Sequence, residues 1–186
     1  MSKKIETSRL VLRPFLASDL TSIRAVVENR TIAEMAGFQA ANGAFESNYF
    51  LKQLMQPNVW AIVLKDGAQV LGSVGLYAVI GENHEPASNQ WELGYMLNED
   101  YWGFGYMKEA TCAILNLVFT KRPDAIILAS TYADNQRSVK VLEYLGFQQT
   151  GEQIQPVSVL NTTAQKENFY HLTRETFNKG GHYATN

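Results

Sequence analysis

The sequence has one cysteine, little net charge and no long apolar run. Cys112 is the only cysteine among 186 residues, which excludes an intrachain disulfide and suits a reducing compartment. The formal net charge of -2 gives no basic field of the kind that binds nucleic acid. No apolar run approaches the roughly 18 residues of a membrane span, and the first residues lack the apolar core of a signal peptide. We therefore expect a cytoplasmic protein whose main partner is neither nucleic acid nor a membrane.

Metal-ligand spacing is also missing. His84, His171 and His182 do not form a cluster with other ligand types, so we expect no metal site. What is present is ordinary for a soluble globular protein, with 46% hydrophobic and 18% charged residues. We expect a single domain over residues 1–186, with a core at about residues 7–177 and a frayed tail at 178–186.

The most informative stretch runs from Gln90 to Ala110. Residues 91–97 alternate apolar and other side chains, which predicts a strand. Gly103 and Gly105 then allow a tight turn, and from Tyr106 the apolar residues recur at helical spacing. A glycine turn that leads into a helix N-terminus directs unpaired N–H groups, and the positive end of the helix dipole, at one place. This stretch therefore predicts an anion site.

The rest of the chain alternates strands and helices, which predicts a mixed α/β sheet largely covered on both faces. Ser18 and Asn135 are expected helix N-caps, and Gly146 is expected at a left-handed helix C-terminus. Asp66-Gly67 predicts a tight hairpin turn. Further strands are predicted at residues 9–15, 59–64, 70–80, 125–131, 147–151 and 168–174. Helices are predicted at 18–29, 31–36, 45–56, 106–120 and 135–145, and loops at 81–89 and 153–166.

Two common nucleotide sites do not fit the glycine turn. A dinucleotide fingerprint needs a third glycine three residues after Gly105, where this chain has Lys108. The Gly-Lys-Ser/Thr ending of a P-loop is absent as well. A purely structural turn and a phosphate site of another kind both remain open from this turn alone.

A second segment, in which Asn135-Gln-Arg-Ser138 opens a helix that ends before Gly146-Phe147, completes an ordered set of motifs. The sequence resembles the GNAT superfamily of acyl-CoA-dependent N-acyltransferases, and within it the RimJ/RimL-like branch. The resemblance runs from about Thr7 to Phe177. Its motifs are Thr7-Ser-Arg-Leu-Val-Leu-Arg-Pro14, Glu92-Leu-Gly-Tyr95, Trp102-Gly-Phe-Gly-Tyr-Met-Lys-Glu-Ala110, Asn135-x-x-Ser138 and Leu145-Gly-Phe147.

The resemblance implies a mixed, mostly antiparallel central sheet, helices on both faces and a splayed parallel strand pair that holds acetyl-CoA. It places the thioester nearest Met96 and Leu97, and the Asn135 side chain on the pantetheine arm. The superfamily often has Gln or Arg at the position of Asp100, so one favourable side chain near phosphate is missing. The backbone N–H groups that the resemblance assigns to the CoA pyrophosphate are those of Trp102, Gly103, Phe104, Gly105, Tyr106 and Met107.

The resemblance also implies the chemistry, which is transfer of the acetyl group to a primary amine. Glu92 is the expected general base, acting through water, and Ser138 is the expected acid for the CoA thiolate. Ser138 is equally well explained as a helix N-terminal residue that bonds its own backbone. Many superfamily members have a tyrosine acid where this chain has Leu142. A partner glutamate is expected after the Gly-Phe pair, but the region around Val157 offers none.

The acceptor is left open. A peptide N-terminal α-amine and a small-molecule amine both remain candidates, and a homodimer and a monomer are equally possible. The alternative to an enzyme is an acyl-CoA-binding sensor or interaction module on the same fold. Glu92 and Asn135 favour the enzyme, whereas Leu142 in place of a tyrosine keeps the alternative open.

Overall fold

The computed structural model describes residues 4–81, 84–156 and 164–180. The helices within these residues are α1 (Leu20–Val27), α2 (Arg30–Ala36), α3 (Gly43–Leu54), α4 (Tyr106–Lys121), α5 (Gln136–Tyr144) and α6 (Arg174–Lys179). The strands are β1 (Ile5–Glu6), β2 (Leu10–Arg13), β3 (Val59–Leu64), β4 (Val70–Ile80), β5 (Pro86–Leu97), β6 (Ile126–Tyr132), β7 (Gln148–Gln155) and β8 (Gln165–Leu172).

The strands form one eight-stranded sheet in the order β1-β2-β3-β4-β5-β6-β8-β7. Strands β1–β2, β2–β3, β3–β4, β6–β8 and β7–β8 pair antiparallel, and β5–β6 pair parallel. The predicted mixed, mostly antiparallel sheet with one parallel pair is confirmed. The β5–β6 ladder spans three residues and ends at Glu92 and Leu128, although β5 continues to Leu97 and β6 to Tyr132.

The described residues fall into two compact units. The first comprises residues 4–75 and 94–113, and the second comprises residues 76–93 and 114–180. The expectation of a single domain over residues 1–186 stays a prediction.

The first unit is built on the β3–β4 hairpin. Strand β3 is wholly apolar, and its first five residues are buried, as expected of a strand covered on both sides. The predicted tight turn at Asp66-Gly67 is confirmed, with a left-handed φ of 91° at Gly67. The β3–β4 register shifts between Ile62 and Val63, which pair with Gly72 and Val70, so Leu71 is the extra residue of a β-bulge.

The predicted N-cap at Ser18 is wrong. The chain enters α1 through a 3₁₀ turn, Ala17–Asp19, and Asp19 precedes the first helical residue. The buried Asp19 carboxylate accepts from the Arg13 guanidinium at 2.7 and 2.8 Å and from the Leu16 N–H at 2.8 Å. Because a buried carboxylate must be paired, this fork and not a serine cap fixes the start of the helix.

The second unit has a core of α4, α5, β6 and α6 side chains, in which the rings of Phe119 and Phe177 lie 5.4 Å apart. The predicted caps of α5 are confirmed. The Asn135 side chain accepts from the Ser138 N–H at 3.1 Å, and Gly146 has a φ of 86°. The Phe147 N–H returns to the Leu142 carbonyl at 3.0 Å, which closes the helix as a Schellman turn does.

In the α3 region Leu51 and Leu54 are buried, whereas Phe45, Tyr49 and Met55 are exposed. Two further sequence expectations are corrected. Strand β5 begins at Pro86, inside the predicted loop at 81–89. The last strand ends at Leu172 and is followed by α6, which extends into the predicted tail; residues 181–186 lie outside the described part.

Candidate active site

The glycine turn connects β5 to α4 within the first unit, as predicted. Strand β5 ends at Leu97, a 3₁₀ turn follows at Glu99–Tyr101, and α4 begins at Tyr106. Gly103 and Gly105 have φ angles of 84° and 81°, a region that residues with a Cβ rarely enter. The turn therefore depends on both glycines for its shape.

The backbone donors of the turn are not all equivalent. The Trp102 N–H already donates to the Glu99 carbonyl at 3.0 Å, and the Trp102 indole N–H donates to the Leu97 carbonyl at 2.8 Å. The first intrahelical bond runs from the Glu109 N–H to the Gly105 carbonyl at 3.1 Å. Helix geometry leaves the N–H groups before that point without an intrahelical acceptor. Of the N–H groups predicted to bind the pyrophosphate, that of Trp102 is already bonded within the turn, and the assignment of the group as a whole stays a prediction.

Met96 and Leu97 are buried at the end of β5 in the same unit. A Cβ placed on Gly72 of β4 would lie 2.1 Å from the Met96 carbonyl oxygen and 2.9 Å from the Leu97 Cα. The Asn98 N–H donates to the carbonyl of the bulged Leu71 at 2.8 Å. The backbone at the end of β5 is thus held by direct contact with a glycine and a bulge of the neighbouring strand.

Glu92 lies on β5 within the second unit. Its side chain is exposed to solvent. The surrounding protein nevertheless removes part of the hydration of the carboxyl group, which raises the pKa of Glu92 above the ordinary value. The negative charge of Glu167 raises the pKa of Glu92 further. The same pattern is seen at Tyr77 of β4, where burial and then the Glu92 charge raise the phenol pKa. A carboxylate with a raised pKa is a stronger proton acceptor than an ordinary one.

Glu167 is the residue that the sequence analysis missed. It lies on β8, opposite Tyr132 of β6, and its carboxylate accepts from the Gln155 side-chain amide at 2.6 Å. The region around Val157, where a partner glutamate was expected, lies outside the described residues. The sequence does not distinguish Glu167 from any other glutamate of an alternating strand, because its charge affects the pKa of Glu92 only through the pairing of the strands.

Asn135 and Ser138 are brought together at the start of α5 in the second unit. The amide oxygen of Asn135 caps the helix by accepting from the Ser138 backbone N–H. In the same helix Leu142 is buried and Tyr144 is exposed, so the two side chains point in different directions. The cap fixes the backbone position of both candidate residues.

The two flanking tryptophans have structural contacts. The Arg122 guanidinium carbon lies 5.3 Å from the centre of the Trp91 ring, a cation–π distance. The Trp102 indole bonds the end of β5, as described above. Each tryptophan therefore contacts a residue of its own unit.

A model of the acetyltransferase (GNAT) domain family matches residues 9–148. The chain belongs to this family. The match contains the glycine turn, the β5 carboxylate and the α5 cap. The protein is therefore an acetyl-CoA-dependent acetyltransferase.

Individual relatives agree with this assignment. The chain is 24% identical to a Bacillus subtilis (strain 168) protein named uncharacterized N-acetyltransferase YoaA over 176 residues, which cover 91% of this chain and 96% of that one. A GNAT-family acetyltransferase structure from Bacillus anthracis superposes with a TM-score of 0.79 at 20% identity, covering 93% of this chain and 99% of that one. RimL, a ribosomal L7/L12 alpha-N-protein acetyltransferase solved with coenzyme A, gives a TM-score of 0.75 at 18% identity, covering 94% and 99%. These structural likenesses establish the fold.

Two negative observations apply to residues 4–81, 84–156 and 164–180. No group of three or more His, Cys, Asp or Glu side chains in these ranges is arranged to hold a metal ion. No helix in them combines the length and apolar content that crossing a membrane requires.

Proposed function

We propose that the protein transfers an acetyl group from acetyl-CoA to a primary amine by direct attack in a ternary complex. The amine is a peptide N-terminal α-amine or a small-molecule amine. The observation that carries this proposal is Glu92, a carboxylate with a raised pKa on β5 of a GNAT-family chain. The alternative, an acyl-CoA-binding module, needs no general base, so the effect of Glu92→Gln on turnover separates the two.

The CoA pyrophosphate would be held by the N–H groups of residues 103–107 at the start of α4. Two features support this assignment, namely the left-handed glycines that shape the turn and the positive end of the α4 dipole. The pantetheine arm would form strand-like hydrogen bonds with β5 beyond Glu92, where the β5–β6 ladder has ended. Asn135 would bind the same arm, in addition to its capping role.

The reaction would begin with a neutral amine. Its nitrogen lone pair attacks the thioester carbonyl carbon, and a backbone N–H near Met96 or Leu97 stabilises the resulting oxyanion. Glu92 takes the amine proton through a water molecule. The C–S bond then breaks, and Ser138 protonates the departing CoA thiolate before regaining a proton from solvent. The products are an amide and CoA with a free thiol.

The chemistry favours an α-amine over a lysine side chain. An N-terminal amine has a pKa of about 7.7–8.0 and a lysine about 10.4, so roughly a tenth of the first is neutral at pH 7 and well under a thousandth of the second. A carboxylate base, even one with a raised pKa, is better matched to the more acidic ammonium group. RimL, named as an alpha-N-protein acetyltransferase, is a precedent for that acceptor class in the same fold.

Acetyl-CoA binding is tested first by thermal melting. A ligand at about 100 times its dissociation constant stabilises by about 2.7 kcal/mol, which for a chain of this size shifts Tm by roughly 5–11 °C. NAD and ATP at the same concentration serve as controls, and neither should shift Tm. A shift with NAD or ATP and none with acetyl-CoA would contradict the proposal.

Catalysis is tested with Glu92→Gln and a panel of amine acceptors, read by CoA release. Turnover should fall by about 10²-fold or more near neutral pH while acetyl-CoA affinity stays unchanged. The loss should shrink as the pH approaches the pKa of the acceptor, because more of the amine is then neutral. Glu152→Gln, which removes an exposed carboxylate of β7 that pairs with Lys166, is the matched control and should leave turnover intact. Wild-type turnover in Glu92→Gln across pH 6 to 9 would remove Glu92 from the mechanism.

Glu167→Gln tests the tuning of the base. Removing the neighbouring negative charge should lower the pKa of Glu92 without removing it, because burial is the larger cause of the shift. The acidic limb of kcat should therefore move to lower pH, and Glu152→Gln should not move it. An unchanged limb would show that Glu167 has no influence on the reacting base.

A further inference from the structure

A carboxylate in the first turn of α4 joins the glycine turn to the beginning of the chain. Glu109 accepts four hydrogen bonds from three consecutive residues of the segment before β2. The donors are the Thr7 hydroxyl at 2.6 Å, the Ser8 hydroxyl at 2.9 Å, and the Arg9 N–H and Nε at 2.9 and 2.7 Å. All of these residues belong to the first unit.

The Arg9 side chain continues from this carboxylate to the glycine turn. Its Nη1 donates to the Phe104 carbonyl at 2.9 Å, and its guanidinium carbon lies 4.5 Å from the centre of the Tyr106 ring. Phe104 is the residue between Gly103 and Gly105, whose φ angles of 84° and 81° are left-handed. Arg9 thus holds the peptide group that joins Phe104 to Gly105, and glycine is the residue whose backbone rotates most freely.

Fixing the Phe104 carbonyl also fixes the direction of the next N–H. A peptide group is planar and trans, so its C=O and N–H bonds point in opposite directions. While the Phe104 carbonyl points at Arg9, the Gly105 N–H of the same peptide group must point away from Arg9. A flip of this peptide group, by rotation about ψ of Phe104 and φ of Gly105, would otherwise turn that donor around.

The ion pair has a second effect, on charge. Burial alone would raise the pKa of Glu109, but the hydrogen bonds from Thr7, Arg9 and Ser8 hold it below its ordinary value, so the group is ionised. An unpaired carboxylate in the first turn of a helix would oppose an anion bound at that N-terminus. Arg9 neutralises this charge through the 2.7 Å contact with its Nε.

We propose that Arg9 is a positioning residue for acyl-CoA: by bridging Glu109 and the Phe104 carbonyl, it holds the Gly105 N–H in the direction that binds the pyrophosphate. This inference rests on the proposed function, since it concerns how the same phosphate site is kept in shape. It assigns a role in cofactor affinity to a residue almost a hundred positions before the turn.

The test compares Arg9→Ala with Arg13→Ala. Both variants remove an arginine of the first unit, since Arg9 lies directly before β2 and Arg13 is its last residue. Arg13 pairs with the buried Asp19 and has no described contact to the turn. Arg9→Ala should raise the Kd and KM for acetyl-CoA about tenfold, on the scale of one lost charge-assisted hydrogen bond at a partly exposed site, with kcat and the amine KM little changed. Arg13→Ala should lower Tm and leave the acetyl-CoA Kd unchanged.

Two conservative variants separate positioning from stability. Arg9→Lys keeps the charge but cannot bond Glu109 and Phe104 as a fork, so its Kd should lie between wild type and Arg9→Ala. Glu109→Gln keeps an acceptor for Thr7 and Ser8 but loses the ion pair. In the double variant with Arg9→Ala, the acetyl-CoA Kd should rise by less than the product of the two single increases. With glycine-selective ¹⁵N labelling, the Gly105 amide signal should move in Arg9→Ala and stay in place in Arg13→Ala.

Each outcome is decisive. If wild type does not bind acetyl-CoA by calorimetry, the proposed function fails and this inference fails with it. If wild type binds and Arg9→Ala binds equally well, or loses no more affinity than Arg13→Ala, the inference alone is overturned. If Arg9→Ala does not fold, wild-type affinity in both Arg9→Lys and Glu109→Gln overturns it as well.

Discussion

Gly72→Ala is the substitution whose effect follows most directly from the structure. Gly72 has no unusual φ, so alanine meets no backbone strain there, only the lack of space. The added Cβ would lie 2.1 Å from the Met96 carbonyl oxygen, and its other near neighbours are also backbone atoms, the Leu97 Cα at 2.9 Å and the Met96 carbonyl carbon at 3.0 Å. No flexible side chain can move aside, so the strand itself has to shift by about 1 Å to restore ordinary contact.

This shift has a cost in stability and a larger cost in rate. Overpacking of this kind destabilises by about 1–3 kcal/mol, which lowers Tm by roughly 2–12 °C in a chain of this length. Met96 and Leu97 are the residues proposed to lie nearest the thioester. A displacement of about 1 Å at a reacting group costs up to about 10²-fold in rate, so we expect kcat to fall by more than tenfold in protein that is still folded.

Gly67→Ala is the matched control. Gly67 has a φ of 91° in the β3–β4 turn, and a Cβ there would have nothing within 4 Å. Alanine should therefore cost about 1–2 kcal/mol through backbone strain alone, a stability loss similar to that of Gly72→Ala, with no loss of kcat. The assay is CoA release at a temperature well below both melting points. A Gly72→Ala enzyme with wild-type Tm and kcat would refute the reasoning, and so would an equal loss of kcat in Gly67→Ala.

Three further predictions concern the turn and the helix ends. Gly105→Val should abolish acetyl-CoA binding in calorimetry while circular dichroism shows a folded protein, because a β-branched residue resists the φ of 81°; retained affinity would contradict this. Gly146→Ala should lower the free energy of unfolding by at least about 2 kcal/mol in a urea titration, because it combines a φ of 86° with a Cβ 2.4 Å from the Thr176 carbonyl oxygen. A smaller loss would show that α6 can shift at little cost. The bonds to Glu109 hold its pKa below 4.5, so the stability they add is fully present above that pH and is lost as the pH falls through the lower, folded value. Between about pH 5 and pH 3 the urea midpoint should therefore fall less steeply in Glu109→Gln than in the wild type. Equal slopes would show that the bonds to Glu109 do not stabilise the fold.

Local patterns in the sequence determined the elements on which the site is built. The alternation before Leu97, the two glycines and the helical spacing after Tyr106 predict a strand, a turn and a helix, and the structure has all three in that order. The Asn135 cap and the Gly146 terminus were equally readable. Each of these features is decided by the φ, ψ and hydrogen-bonding preferences of a few neighbouring residues, and those preferences are written in the residues themselves.

What depended on distant residues was decided by the tertiary structure. In α3, Phe45 and Tyr49 lie at helical spacing and yet are exposed, because burial is set by the surface that the helix packs against and not by its own apolar spacing. Ser18 was a plausible cap, yet the start of α1 is fixed by Asp19, whose partner Arg13 lies on a strand.

The charges around the site follow the same division. The sequence identified Glu92 and the glycine turn, but the influence of Glu167 on Glu92 and the contact of Arg9 with Phe104 join residues that are far apart along the chain. Hydrogen bonds act over about 3 Å of space and charges over roughly 10 Å, whatever the separation along the chain. The sequence by itself therefore identified the groups that we propose for the chemistry, and the fold decided which neighbours set their pKa and their direction.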